Sequence, residues 1–84
     1  MDLKAIRDHL SLAGLALGPE HPLSSRIKMV ERHLTPGDPW FRNDAVSAET
    51  DLLAISADLE RAQVEVPPGV NEAIKQIGEA IELL

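Results

Sequence analysis

His9, His21 and His33 each follow a charged residue, and three imidazoles in a chain of 84 residues invite a zinc hypothesis. A helical zinc site needs two ligands one turn apart on one face, and no pair here has that i, i+4 spacing. Asp38 and Glu49 stand at the first and last positions of a calcium loop. Trp40 and Arg42 occupy positions where oxygen ligands are needed, and Asn43 stands where that loop needs glycine. Nucleophilic catalysis has little to work with. Cysteine is absent, and no serine sits in a Gly-x-Ser-x-Gly elbow. No glycine-rich loop with a lysine precedes a helix to cradle phosphate. Carboxylate pairs such as Asp58 and Glu60 read as solvated helix residues. The expectation is a chain without catalytic residues, metal site or cofactor, and so not an enzyme.

Trp40 and Phe41 are the only aromatics, adjacent in the turn-rich stretch Thr35-Pro36-Gly37-Asp38-Pro39-Trp40-Phe41-Arg42-Asn43-Asp44. Two large apolar side chains in such a loop either seal the chain's own core or anchor a partner. A large aromatic ring buries ~150–250 Å², valuable to a small domain. Tryptophan with a neighbouring arginine, here Arg42, is also the composition of a binding hot spot. Adjacent residues of an extended segment point to opposite sides, so one ring can face in and the other out.

Four helical segments must position these residues. In the first, about Asp2 to Leu17, Leu3, Ile6, Leu10, Ala13 and Leu17 recur at three- and four-residue spacing. Asp2 is the expected cap and Gly18-Pro19 the stop. Leu12, Leu15 and Ala16 widen the apolar face, so this helix is either covered on two sides or meets a second chain. Gly14 costs up to ~1 kcal/mol relative to alanine unless it permits a close helix approach.

The second segment comes after His21-Pro22, with Ser24 or Ser25 as cap. It buries Leu23, Ile27, Val30 and Leu34 and turns Arg26, Lys28, Arg32 and His33 outward. Thr35-Pro36-Gly37 ends it. The third begins near Ser47 as N-cap, with Glu49 and Asp51 in the first turn opposite the positive helix end. Leu52, Ile55, Leu59 and Ala62 form its face, and Leu53 and Ser56 flank it. Val64-Glu65-Val66 alternates but is too short for a stable strand. Pro67-Pro68-Gly69 calls for an extended turn. The fourth segment carries the seam Val70, Ile74, Ile77, Ile81 and Leu84, and its apolar end is expected to pack down. Two heptads are too few for a coiled coil, so this reads as a bundle helix.

Charge is uneven along the chain. Residues 1–42 hold six Lys/Arg and five Asp/Glu, for +1; residues 43–84 hold two and nine, for −7. An acidic half repels phosphates and disfavours nucleic acid, and it steers basic protein partners. A helix-turn-helix would need the second segment as recognition helix, and that segment has only three Lys/Arg. The longest weakly polar run, Leu10 to Leu17, falls far short of the ~20 residues that cross a bilayer. No signal-peptide layout opens the sequence, because Asp2, Lys4, Arg7 and Asp8 interrupt it. A soluble, cytoplasmic protein is expected, with no membrane partner.

Leu59-Glu60-Arg61, then Val64-Glu65-Val66-Pro67-Pro68-Gly69, then a helix ending Ala80-Ile81-Glu82-Leu83-Leu84 supply a partial likeness. From Asp51 onward the chain resembles the C-terminal half of an acyl or peptidyl carrier protein, a family of similar length, acidic and four-helical. The resemblance implies a phosphopantetheine-bearing serine opening the third segment, and Ser47 is the residue in place. The family's Asp-Ser-Leu motif reads Val46-Ser47-Ala48 here. In the first half, a helix occupies what would be a long loop.

The sequence thus predicts one all-α domain over residues 1–84, a small four-helix bundle with a Pro/Gly-rich loop between helices 2 and 3. The expected function is non-catalytic protein binding, as a small regulator, adaptor or inhibitor. Its expected binding residues are Trp40, Phe41, Arg42, Arg26, Lys28 and Arg32. One alternative is a carrier-like protein with Ser47 as a degenerate attachment site. Another is a self-assembling helical subunit, including a homodimer through helix 1.

Overall fold

The structure, a computed structural model, describes residues 3–34 and 42–83, with the backbone alone for Arg42 and Asn43. Four helices run in order: α1 Leu3–Leu17, α2 Pro22–His33, α3 Arg42–Arg61 and α4 Pro68–Leu83. Among the described residues there is no strand. Helix α1 packs on α2 and α4, and α3 packs on α2 and α4. Among the described residues neither diagonal pair, α1 with α3 or α2 with α4, is in contact. The short connections at 18–21 and 62–67 make α1/α2 and α3/α4 antiparallel neighbours, the arrangement of a small four-helix bundle.

Among the described residues the core is aliphatic. Ile6, Leu10, Ile27, Leu34, Leu52, Ile55, Leu59, Val70 and Ile77 are all but fully buried, with Ala45, Ala48 and Ala73 between helices. Leu3, Leu17, Leu23, Val64, Val66, Ile74 and Ile81 pack partly against them. Each fully buried aliphatic side chain contributes on the order of 1.5–3 kcal/mol by leaving water. In α4 the buried line runs through Val70, Ala73, Ile77 and Ala80, so Ile74 and Ile81 flank the seam instead of forming it.

Helix ends depart from expectation at several points, each for a local reason. Helix α1 ends as predicted: Gly18 adopts φ +91°, which an L side chain tolerates poorly, and its N–H donates to the Gly14 and Leu15 carbonyls. The cap of α2 is His21, not Ser24 or Ser25. Its Nδ1 accepts from the Leu23 N–H at 3.1 Å, and Pro22 takes the first helical position, where its missing N–H costs nothing. Ser24 is instead buried, its hydroxyl donating at 2.7 Å to the Gly18 carbonyl, which also accepts from the His21 N–H at 3.2 Å. Helix α3 starts at Arg42, five residues before Ser47, so Ser47 is an exposed residue inside the helix and not its cap.

Ala62 lies beyond the end of α3 and is exposed. There Gln63 takes φ 60°, its N–H donating to Glu60 and the Val64 N–H to Leu59, a Schellman closure. Val64 and Val66 form no strand and lean on the core. The Pro67-Pro68-Gly69 stretch is not wholly an extended turn, because Pro68 is already the first residue of α4. Gly69 lets that terminus lie directly on α1: a Cβ there would collide with the His9 carbonyl oxygen and stand 3.3 Å from the Ala13 Cβ. Leu83 is 88% exposed, so the end of α4 does not pack down there. The expectations placed on Asp2, on the 35–41 loop and on Leu84 lie outside the described residues.

Candidate partner-binding site

The residues expected to bind a partner fall into three groups. Trp40 and Phe41 lie outside the described residues, as does the side chain of Arg42, whose backbone opens α3. Arg26 is engaged within the chain: its guanidinium donates to the Asp58 carboxylate at 2.5 Å, and Arg61 donates to the other oxygen at 2.7 Å. The Arg26 hydrogen bond, with Arg61 adding its charge, holds the Asp58 carboxyl below its ordinary value. Arg26 therefore ties α2 to α3. It borders a hollow of about 200 Å³ between those helices, with Met29, His33 and Asp51. Lys28 and Arg32 are exposed on α2, and Lys28 borders a different groove, toward α1.

That second groove is built from a feature of α1. Gly14 sits in mid-helix, and no described atom of a neighbouring element lies within 4 Å of where its Cβ would be. No packing among the described residues requires a glycine there, unlike at Gly69. Its missing side chain deepens a groove of about 280 Å³ between α1 and α2, floored by Leu10 and Ile27 and bordered by Leu15, Ser24, Lys28 and Glu31. On the other flank of α1, His9, Leu12, Ala16, Pro67 and Pro68 border a hollow of about 450 Å³ against the start of α4. Between the two hollows runs a ridge facing solvent, with Leu12 63% and Leu15 72% exposed and Ala16 exposed beside them. The widened apolar face of α1 is thus left uncovered by the described residues.

A second apolar stripe lies on α3. Val46, Thr50, Leu53 and Ala57 share one outward face at helical spacing, and all four are exposed. Glu60 and Arg61 stand exposed on its two flanks, while Asp51 turns toward the α2–α3 hollow. Charge divides by layer. Helix α1 carries two bases and one acid and α2 three and one, for +3 together; α3 carries two and five and α4 one and three, for −5 together.

The residues weighed for chemistry are dispersed. His9 is on α1, His21 in the α1–α2 turn and His33 at the end of α2, and among the described residues no three His, Asp or Glu come together as a metal site. Ser47, the residue the carrier resemblance singles out, is exposed on α3. No described helix is long and apolar enough to cross a membrane. The chain matches no protein-family model, no curated protein and no solved structure.

Proposed function

We propose that the chain is a non-catalytic protein-binding module, an adaptor or small regulator acting in the cytoplasm, and that its binding face is the outward side of α1 with the α1/α2 groove. One observation carries the reading: a ridge of exposed leucines, Leu12 and Leu15, runs beside a groove that Gly14 opens without any need from the packing of the described residues. Single exposed leucines are ordinary on protein surfaces. A mid-helix glycine that costs up to ~1 kcal/mol and relieves no internal clash is not, and close approach of another backbone or side chain accounts for it. Lys28 at the groove edge and the +3 charge of the α1/α2 layer favour a partner surface that is apolar with acidic flanks. Asp58, the carboxyl held low by two arginines, supports a structural ion pair instead of an acid–base role.

The test is a photoreactive benzoylphenylalanine placed at Leu15 in the source cells, with the same residue at exposed Lys75 on α4 as control. Light-dependent protein adducts at position 15, lost when Gly14→Leu fills the groove, are the expected result. Equal background at both positions would remove this face as a binding site.

A further inference from the structure

The occupant of the α1 face is indicated by the two-sided distribution of apolar surface and charge. We propose that the partner is the α3 face of a second copy of this chain, joined head to tail. The proposal rests on the protein-binding reading above and names its partner. The α1 ridge is apolar and belongs to the +3 layer; the α3 stripe of Val46, Leu53 and Ala57 is apolar and belongs to the −5 layer. Helices α1 and α3 are diagonal in the bundle and do not touch among the described residues, so the two stripes face away from each other on opposite corners. One molecule therefore presents two complementary surfaces at once, each left uncovered by the described residues.

The geometry of the fit is a knob and a hole. Leu53, 50% exposed, is the largest side chain at the centre of the α3 stripe, and the Gly14 groove is the open space beside Leu15. Seating Leu53 of one copy in the groove of the next sets the flanks of its stripe, Glu60 and Arg61, against a groove edge that carries Lys28 and Glu31, so each charge has an opposite to meet. Asp8, Glu20 and Glu31 subtract from the basic character of this side without reversing its sign. A symmetric contact of α1 on α1 is disfavoured by the same charges. It would oppose two positive layers and leave both α3 stripes bare. Contact between unlike faces does not close on two copies, so each added copy leaves one free face of each kind and a linear array grows.

The experiment is sedimentation equilibrium of the whole chain up to millimolar concentration, with circular dichroism confirming the fold of each variant. The wild type should exceed twice its 9.1 kDa mass as concentration rises. Leu15→Asp breaks the α1 face and Leu53→Lys the α3 face, and each variant alone should remain a monomer, with association weakened at least tenfold. An equimolar mixture of the two variants retains one intact face of each kind and should stop at two copies. A wild type that stays monomeric overturns the proposal. So does a Leu53→Lys variant that still doubles its mass, which would indicate a symmetric α1 contact, or a mixture that stays monomeric. Adducts from position 15 to a different protein, with none of doubled chain mass, would leave the binding face standing and remove self-assembly alone.

Discussion

Gln63 adopts φ 60°, a conformation that costs a residue with a Cβ about 1–2 kcal/mol and costs glycine nothing. Its exposed side chain contributes no packing. Gln63→Gly is therefore expected to stabilise the chain by ~0.5–1 kcal/mol after the larger unfolded-state entropy of glycine is subtracted, read as a higher urea midpoint. Two other glycines make a contrasting pair. At Gly69 an added methyl meets the backbone of α1, which cannot give way as a flexible side chain would, so Gly69→Ala should destabilise by about 1–3 kcal/mol. At Gly14 it meets open space, so Gly14→Ala should stabilise by up to ~1 kcal/mol while weakening any complex on the α1 face. Equilibrium unfolding of the two variants side by side separates a glycine that the fold needs from one that it does not.

Between elements, the Arg26–Asp58–Arg61 cluster is a polar tie that joins α2 to α3. The folded carboxyl is held below its ordinary value of 3.8, so the unfolded chain binds the proton more readily. The tie therefore contributes in full above about pH 4 and is lost as pH falls through the lowered folded value. Unfolding midpoints measured from pH 6 to pH 2 should show this loss in the wild type, and Asp58→Asn should flatten that part of the curve. Helix α3 also shows how reading a boundary depends on the cap chosen. Ser47, Glu49 and Asp51 look like a helix start, yet Ala45 and Ala48 are buried on the same face as Leu52. Burial of those alanines extends α3 back to Arg42, and a capping preference of about 1 kcal/mol is outweighed.

At the scale of the molecule, the described residues of the four helices share one aliphatic core. An 84-residue domain has roughly 4–13 kcal/mol of net stability to lose. Leu52→Ala, at a fully buried site on α3, is expected to cost about 2–5 kcal/mol, a large part of that total, measured by thermal or urea unfolding. Leu15→Asp and Leu53→Lys, both exposed, should leave the melting temperature close to wild type. That separation makes the two surface variants usable as tests of assembly and the core variant unsuitable for it.

The sequence by itself determined the helices and most of their inward faces. The three- and four-residue spacing of Ile6, Leu10 and Ala13, of Ile27, Val30 and Leu34, and of Leu52, Ile55 and Leu59 is a local property of an α-helix. It needs no partner to be read. The stop at Gly18 was legible for the same reason, since the required backbone conformation belongs to one residue. The uncovered ridge on α1 was legible only as a choice between burial and a second chain. Which helix lies across from which is not written in local spacing, because it depends on contacts between residues far apart in the chain. Tertiary structure alone decided that Gly69 serves contact with α1 while Gly14 leaves open space. It also decided that Arg26 faces Asp58 while Lys28 faces the groove, and that the α1 and α3 stripes lie on opposite corners of the bundle.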